Sequence, residues 1–311
     1  VSAEDAGSLL DQARAGSRRA LGRILSWVER GDPRATEIDA LACSQVGRAS
    51  TVGITGAPGA GKSTLTNALC RRIRRDGDRV AVLAIDPSSP FSGGAILGDR
   101  VRMTDHDLDD GVYVRSMATR GHLGGLAAAT PAAIRVLDAV GFPWVLIETV
   151  GVGQVEVEVA GAADTTVVVV NPGWGDAIQA NKAGLMEIGD IFVINKADRP
   201  GADVTRIDLE SMLALSRQGA RTPIICSVAT EGIGVDELWS AIRDHLHQLA
   251  VSGQLEVKRR ARVTDELRAL IGARLAQRLG DITSSPGFDA AVIDVLAGRC
   301  DPATAVRRLV P

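Results

Sequence analysis

From residue 51 onward the chain alternates short apolar runs with segments of helical periodicity. Residues 51–55, 79–85, 112–116, 144–147, 165–170 and 191–194, and a run beginning at Pro223, are apolar and rich in valine and isoleucine. Between them lie a helix-like segment over 64–75, an alanine-rich one ending at Val140 and one carrying Lys182. Strands alternating with helical stretches predict an α/β fold, a mostly parallel sheet with helices on both faces. Ahead of this region Leu21, Ile24, Leu25 and Val28 recur at helical spacing until Gly31-Asp32-Pro33 stops the run, and a second short helix is expected over 35–46. Behind it the pattern is helical over 235–249, 255–279, 288–297 and 302–309. Gly253, Gly280 and Ser284-Ser285-Pro286-Gly287 read as breaks. Several of these last helices lack a core of their own and need a surface to pack on.

The first strand ends in Gly56-Ala57-Pro58-Gly59-Ala60-Gly61-Lys62-Ser63, a full match to G-x-x-x-x-G-K-S. Placed between a strand and a helix, the pattern has a mechanism. Backbone N–H groups of Gly59, Ala60, Gly61, Lys62, Ser63 and Thr64 can curl around nucleotide phosphates, and the following helix aims its positive end at the same anion. Lys62 would bridge the outer phosphates and the Ser63 hydroxyl would ligate Mg2+. This makes the central region a P-loop nucleotide-binding domain, residues 47–250, with a helical amino-terminal extension over 1–46 and a helical carboxy-terminal arm over 251–311.

In a parallel sheet, ligands gather at the carboxyl ends of the strands. Asp86 follows the second strand and Asp99 lies in the long glycine-rich connection after it, so both are candidate magnesium carboxylates. The run 144–147 delivers Glu148-Thr149-Val150-Gly151. There Glu148 can reach the ion directly or through water, and the Gly151 N–H can meet the terminal phosphate. Val152 follows Gly151 where many GTPases carry a water-orienting glutamine. Either Gln154 or an incoming group has to take that role, so intrinsic hydrolysis is expected to be slow. Asn195-Lys196-Ala197-Asp198 at a strand end has the form N-K-x-D. The Asp198 carboxylate would accept from the guanine N1–H and amino group, donors that adenine lacks, and the Lys196 stem would lie on the base. The loop carrying Ser227, Val228 and Ala229 would back the base. The expected ligands are GTP and GDP with magnesium.

Composition narrows the partners. A net charge of -3 and a pI near 5.9 give no electrostatic footprint for nucleic acid or an anionic membrane. No apolar run approaches the ~18 residues of a membrane span, and the start lacks a secretory layout, so a cytoplasmic protein is expected. The four cysteines stand far apart and read as buried, reduced thiols. Only four of the 35 basic residues are lysines, Lys62, Lys182, Lys196 and Lys258. In so arginine-rich a chain, lysine at the phosphate loop points to a need for a compact charge, and Lys182 becomes a functional candidate on the same ground.

Together, Asp86-Pro87-Ser88-Ser89-Pro90, Arg115-Ser116 with Gly121-His122-Leu123-Gly124-Gly125, Glu148-Thr149-Val150-Gly151-Val152-Gly153-Gln154, Gly175-Asp176 with Gln179 and Lys182, and Asn195-Lys196-Ala197-Asp198 resemble one family. It is the MeaB-like GTPase chaperones of adenosylcobalamin-dependent methylmalonyl-CoA mutase. The likeness covers nearly the whole chain. It implies a homodimeric GTPase of the signal-recognition and nickel-insertion class that gates cofactor loading and protects the mutase. Asp86, Asp99 and Glu148 would then surround magnesium, and Asp176, Gln179 and Lys182 would lie on a switch. Ala177 and Val155 depart from the family's usual glutamate and small polar residue. Two other functions compete, an ATP-using kinase tied to lysine, arginine and ornithine transport and a nickel-delivering GTPase. The N-K-x-D motif argues against the first, and the absence of a His-rich tract or paired Cys/His site argues against the second.

Overall fold

A computed structural model describes residues 5–44, 47, 49–87, 109–119, 125–149, 160–173, 186–215 and 222–310. Seven strands form one parallel sheet: β1 (Ser50–Gly56), β2 (Val80–Pro87), β3 (Val112–Thr119), β4 (Trp144–Thr149), β5 (Thr165–Val170), β6 (Ile191–Asn195) and β7 (Ile224–Ser227). Their order is β3-β2-β4-β1-β5-β6-β7. The chain leaves central β1 toward one edge and later returns to fill the other, so the end of β1 is a topological switch point. The expected α/β class is the observed one.

Alternation along the strands separates two cores. Val80 and Val82 of β2 and Leu146 of β4 face a core shared with helices α4 (Lys62–Arg75), α6 (Ala202–Leu215) and α7 (Val235–Val251). Ala81, Leu83 and Ile85 of β2, with Val145 and Ile147 of β4, face the other way. They pack on α1 (Ala6–Arg14), α2 (Arg18–Arg30), α3 (Pro33–Cys43) and α5 (Gly125–Ala139). The amino-terminal helices are therefore part of the sheet's cover. Ser17 and Asp32 cap α2 and α3, and Gly31 ends α2 in the left-handed conformation, as the Gly-Asp-Pro signal requires. A bidentate Arg135–Asp39 pair ties α5 to α3.

Residues 1–262 form one compact unit and 263–311 a second. Helix α8 (Gln254–Thr283) runs through Gly280, correcting the expected break there; α9 (Pro286–Leu296) and α10 (Pro302–Leu309) follow. In the second unit Val263, Leu267, Ile271, Leu275 and Leu279 lie at helical spacing on α8 and are each more than half exposed. The cysteine expectation also needs correction. All four are free, but Cys70 alone is buried; Cys43 is exposed, and Cys226 and Cys300 are partly so. No helix among the described residues is long and apolar enough to cross a membrane.

Candidate nucleotide site

Parallel register brings the motifs together at the carboxyl end of the sheet. Ile54 of β1 stands beside Glu148 of β4 and Val167 of β5, and Asn195 of β6 beside Ser227 of β7. The loop after β1 closes on Gly61, which caps α4 with φ +93°. A side chain at Gly61 would put its Cβ 2.3 Å from Asn195 Nδ2, so the close approach itself requires glycine. At Gly56, with φ +133°, a Cβ would lie 2.0 Å from the Val169 carbonyl oxygen. The cradle is built so that only glycine fits at both ends.

Lys62 is buried, and its ammonium donates to the carbonyls of Gly56 (2.7 Å) and Ala57 (3.1 Å). It is thus held across the loop. The Ser63 hydroxyl donates to Glu148 Oε1 at 2.5 Å, and Glu148 is 2% exposed. A hydroxyl and a carboxylate in contact at the mouth of a phosphate loop are an all-oxygen donor pair suited to Mg2+. Beneath them Thr149 donates to Thr55 across β4 and β1 at 3.2 Å, fully buried. The backbone of Asp86 is next to last in β2, one residue past the Ile85–Thr149 pairing. The side chain of Asp86, and Asp99, Gly151, Gln154, Asp176, Gln179 and Lys182, lie outside the described residues.

The Asn195-Lys196-Ala197-Asp198 segment grips the phosphate loop directly. Buried Asn195 donates through Nδ2 to the Ala60 carbonyl (2.9 Å), while its Oδ1 accepts from Ser227 Oγ and the Ala229 N–H, both 3.2 Å. Lys196 Nζ donates to the Gly59 carbonyl (2.7 Å), and among the described residues Lys196 is the only non-glycine with a left-handed backbone, φ +59°. That turn points the lysine back over the loop and leaves Asp198 exposed beyond it. Ala197 N–H donates to Ser227 O, so the Ser227, Val228 and Ala229 loop is fastened to the same motif. Sequence reasoning missed Thr55, whose signal is a hydroxyl closing an apolar run, and the structural task of Asn195.

Residues 21–284 match the family model described as methylmalonyl Co-A mutase-associated GTPase MeaB. The chain belongs to the MeaB family. It is 47% identical over 302 residues to a protein of Pyrococcus horikoshii named as a putative GTPase, covering 96% of this chain and 95% of that one. The mouse methylmalonic aciduria type A homolog is 39% identical over 214 residues, 67% of this chain and 52% of its own length. The crystal structure of a protein named as an LAO/AO transport system kinase superposes with a TM-score of 0.73 at 28% identity, covering 99% of this chain and 97% of that one. MeaB-family membership thus rests on a motif set, a whole-chain relative and a whole-chain fold match.

Proposed function

We propose that this MeaB-family chain is a magnesium-dependent GTPase that serves methylmalonyl-CoA mutase as a chaperone, gating adenosylcobalamin loading and protecting the enzyme. The observation that carries the GTPase part is the clasp of Asn195 and Lys196 on the carbonyls of Ala60 and Gly59, which joins a guanine-selective motif to a phosphate loop. The alternative, an ATP-using kinase, leaves Asp198 without a purpose, because adenine offers its carboxylate no donors.

In this reading the backbone from Gly59 to Thr64 holds the phosphates, and Lys62 turns from its two carbonyls to the outer phosphate oxygens. Ser63 and Glu148, with Asp86 and Asp99, hold magnesium, which when bound neutralises charge building on the phosphates. Gly151 meets the terminal phosphate and Gln154 positions water. Turnover by the chain alone is slow. Asp176, Gln179 and Lys182 carry the nucleotide state to the mutase. The exposed apolar face of α8 supports a homodimer, a use for leucine and isoleucine side chains that their own unit leaves in water. The setting is cytoplasmic.

The test is nucleotide hydrolysis by the purified protein with and without methylmalonyl-CoA mutase, ATP serving as control. GTP-selective turnover that rises when the mutase is added is expected. Turnover of ATP at the rate of GTP would overturn the GTPase reading, and indifference to the mutase would overturn the chaperone reading.

A further inference from the structure

At the opposite end of the sheet, where β2 and β3 begin, a cavity of about 600 Å³ opens between the α1–α2 turn and the end of α4. Its volume is in the range of small-molecule sites. Four arginines line it: Arg14 and Arg18 from the α1–α2 turn, Arg74 from α4 and Arg79 from the entry to β2. The eight residues of β2 separate it from the nucleotide end, roughly 25 Å at the rise of a strand. It is a different place from the phosphate loop.

The charge in this cavity is poorly matched. Arg74 is answered by Asp109, 2.9 Å away, and Arg14 by Asp11 at its outer edge, 3.0 Å away. Arg18 and Arg79 have only backbone carbonyls, of Asp109 and of Val140 and Gly141, and no carboxylate within ion-pair distance among the described residues. Asp110, the acid in the lining, is exposed. The Nη2 of Arg14 is buried with no hydrogen-bond partner among the described residues. Burial, and then the neighbouring charge of Arg74, push the Arg79 pKa down, as expected where positive charge is crowded.

Two rings hold these cations in place. The Arg79 guanidinium lies 4.2 Å from the centre of the Phe142 ring and that of Arg18 lies 5.9 Å from the Tyr113 ring. Cation–π contacts of this kind restrict the side chains before any ligand arrives, which lowers the ordering cost of binding.

We infer that this cavity is a second ligand site, distinct from the nucleotide site, for a small multiply charged anion of the phosphate or polycarboxylate class. Arginine forks match both chemistries bidentately, and the charge of Arg18 and Arg79, unpaired with any carboxylate among the described residues, supplies the affinity together with the open N–H of Arg14.

The experiment is calorimetric titration of the GDP-loaded protein, in excess magnesium, with inorganic pyrophosphate and separately with tricarballylate. Prior occupation of the phosphate loop keeps that site out of the signal. Saturable one-to-one binding of at least one probe is expected; pyrophosphate alone marks a phosphate site and tricarballylate alone a carboxylate site. Arg18→Gln, at a position with no ion pair to lose among the described residues, should weaken binding about tenfold or more, the loss of a charge-assisted contact. Arg79→Gln should do the same. Arg19→Gln, the next residue and outside the lining, should leave it unchanged. Absence of binding by both probes at millimolar concentration overturns the site, as does equal weakening by Arg19→Gln, which would signal diffuse surface attraction.

Discussion

Asp164, fully buried before β5, receives the Arg259 guanidinium of α8 at 3.0 Å, and Arg262 of the same helix adds a second bond. The carboxylate also accepts from the Thr51 N–H, and Arg259 continues to the carbonyls of Gly47 and Ala49. One acid thus fastens the first turns of α8 to the start of β1, the strand that carries the phosphate loop at its other end. Asp164→Ala would leave two guanidinium groups facing a hole. A loss of about 3–5 kcal/mol is expected from breaking a buried pair, read by urea unfolding.

The same acid sets a pH dependence. Burial pushes its pKa up, but the Arg259 hydrogen bond and the Arg262 charge outweigh burial and leave it below the ordinary value of 3.8. A depressed folded-state value means stability that is fully present above the unfolded pKa and lost as pH falls through the folded one. Melting temperature should therefore drop below about pH 4 in the parent. Asp164→Asn should start lower at neutral pH and fall less in acid.

Lys62→Ala should weaken GDP and GTP binding about 10–100-fold or more, in proportion to charge-assisted bonds of about 1.5–3 kcal/mol each. Gly61→Ala should do as much for a different reason, by forcing Cβ into Asn195. Fluorescent-nucleotide titration reads both, and unchanged affinity in Lys62→Ala would remove the phosphate assignment.

Asp198→Asn should weaken GTP about 10–100-fold, by loss of charged hydrogen bonds, and narrow the preference over ATP. Because Asp198 is exposed, the variant's melting temperature should stay within about a degree or two of the parent, as for most surface substitutions. Equal GTP affinity in parent and variant would sink the base-reading role.

Cys70 is fully buried, and burial, with the Glu148 charge adding to it, pushes its thiol up to about 12. A disulfide reagent at about pH 8 should label Cys43 quickly and leave Cys70 untouched until the protein is unfolded. Mass spectrometry of the labelled peptides decides it.

Ile271→Asp with Leu275→Asp should convert the proposed dimer to a monomer in light scattering without loss of GTP turnover. Both side chains are more than half exposed on α8, so the charges cost little within their own unit.

Much of the fold is legible in the sequence because period and punctuation agree. β5 coincides with the continuous β-branched run, and α4 begins two residues earlier than its pattern because Gly61 caps it. Helix α6 leaves a weak trace: its buried residues Thr205, Leu209 and Leu213 form a one-residue stripe, while Val204 and Ile207 beside them are exposed. Gly280 reads as a stop, but a single glycine costs a helix only about 1 kcal/mol, and α8 absorbs it. Within the site, motif residues are readable one by one. The bond from Asn195 to Ala60 is not, since it joins positions 135 residues apart, and neither is the ionic knot around Asp164. Local sequence carries chemistry; long-range pairing appears only once the strands are set side by side.

The packing of α1, α2 and α3 on β2 and β4 fixes an order of events during synthesis. Leu9, Leu10, Ile24 and Leu25 are made before the strands that share their core: Ala81, Leu83 and Ile85 of β2 follow more than fifty positions after them, and Val145 and Ile147 of β4 more than a hundred. At ordinary elongation rates the longer gap lasts roughly 5–25 s, during which the three helices have no complete sheet to cover. The nascent chain thus exposes the apolar faces of α1 and α2 before their cover exists, and a holdase that shields these helices would protect the fold.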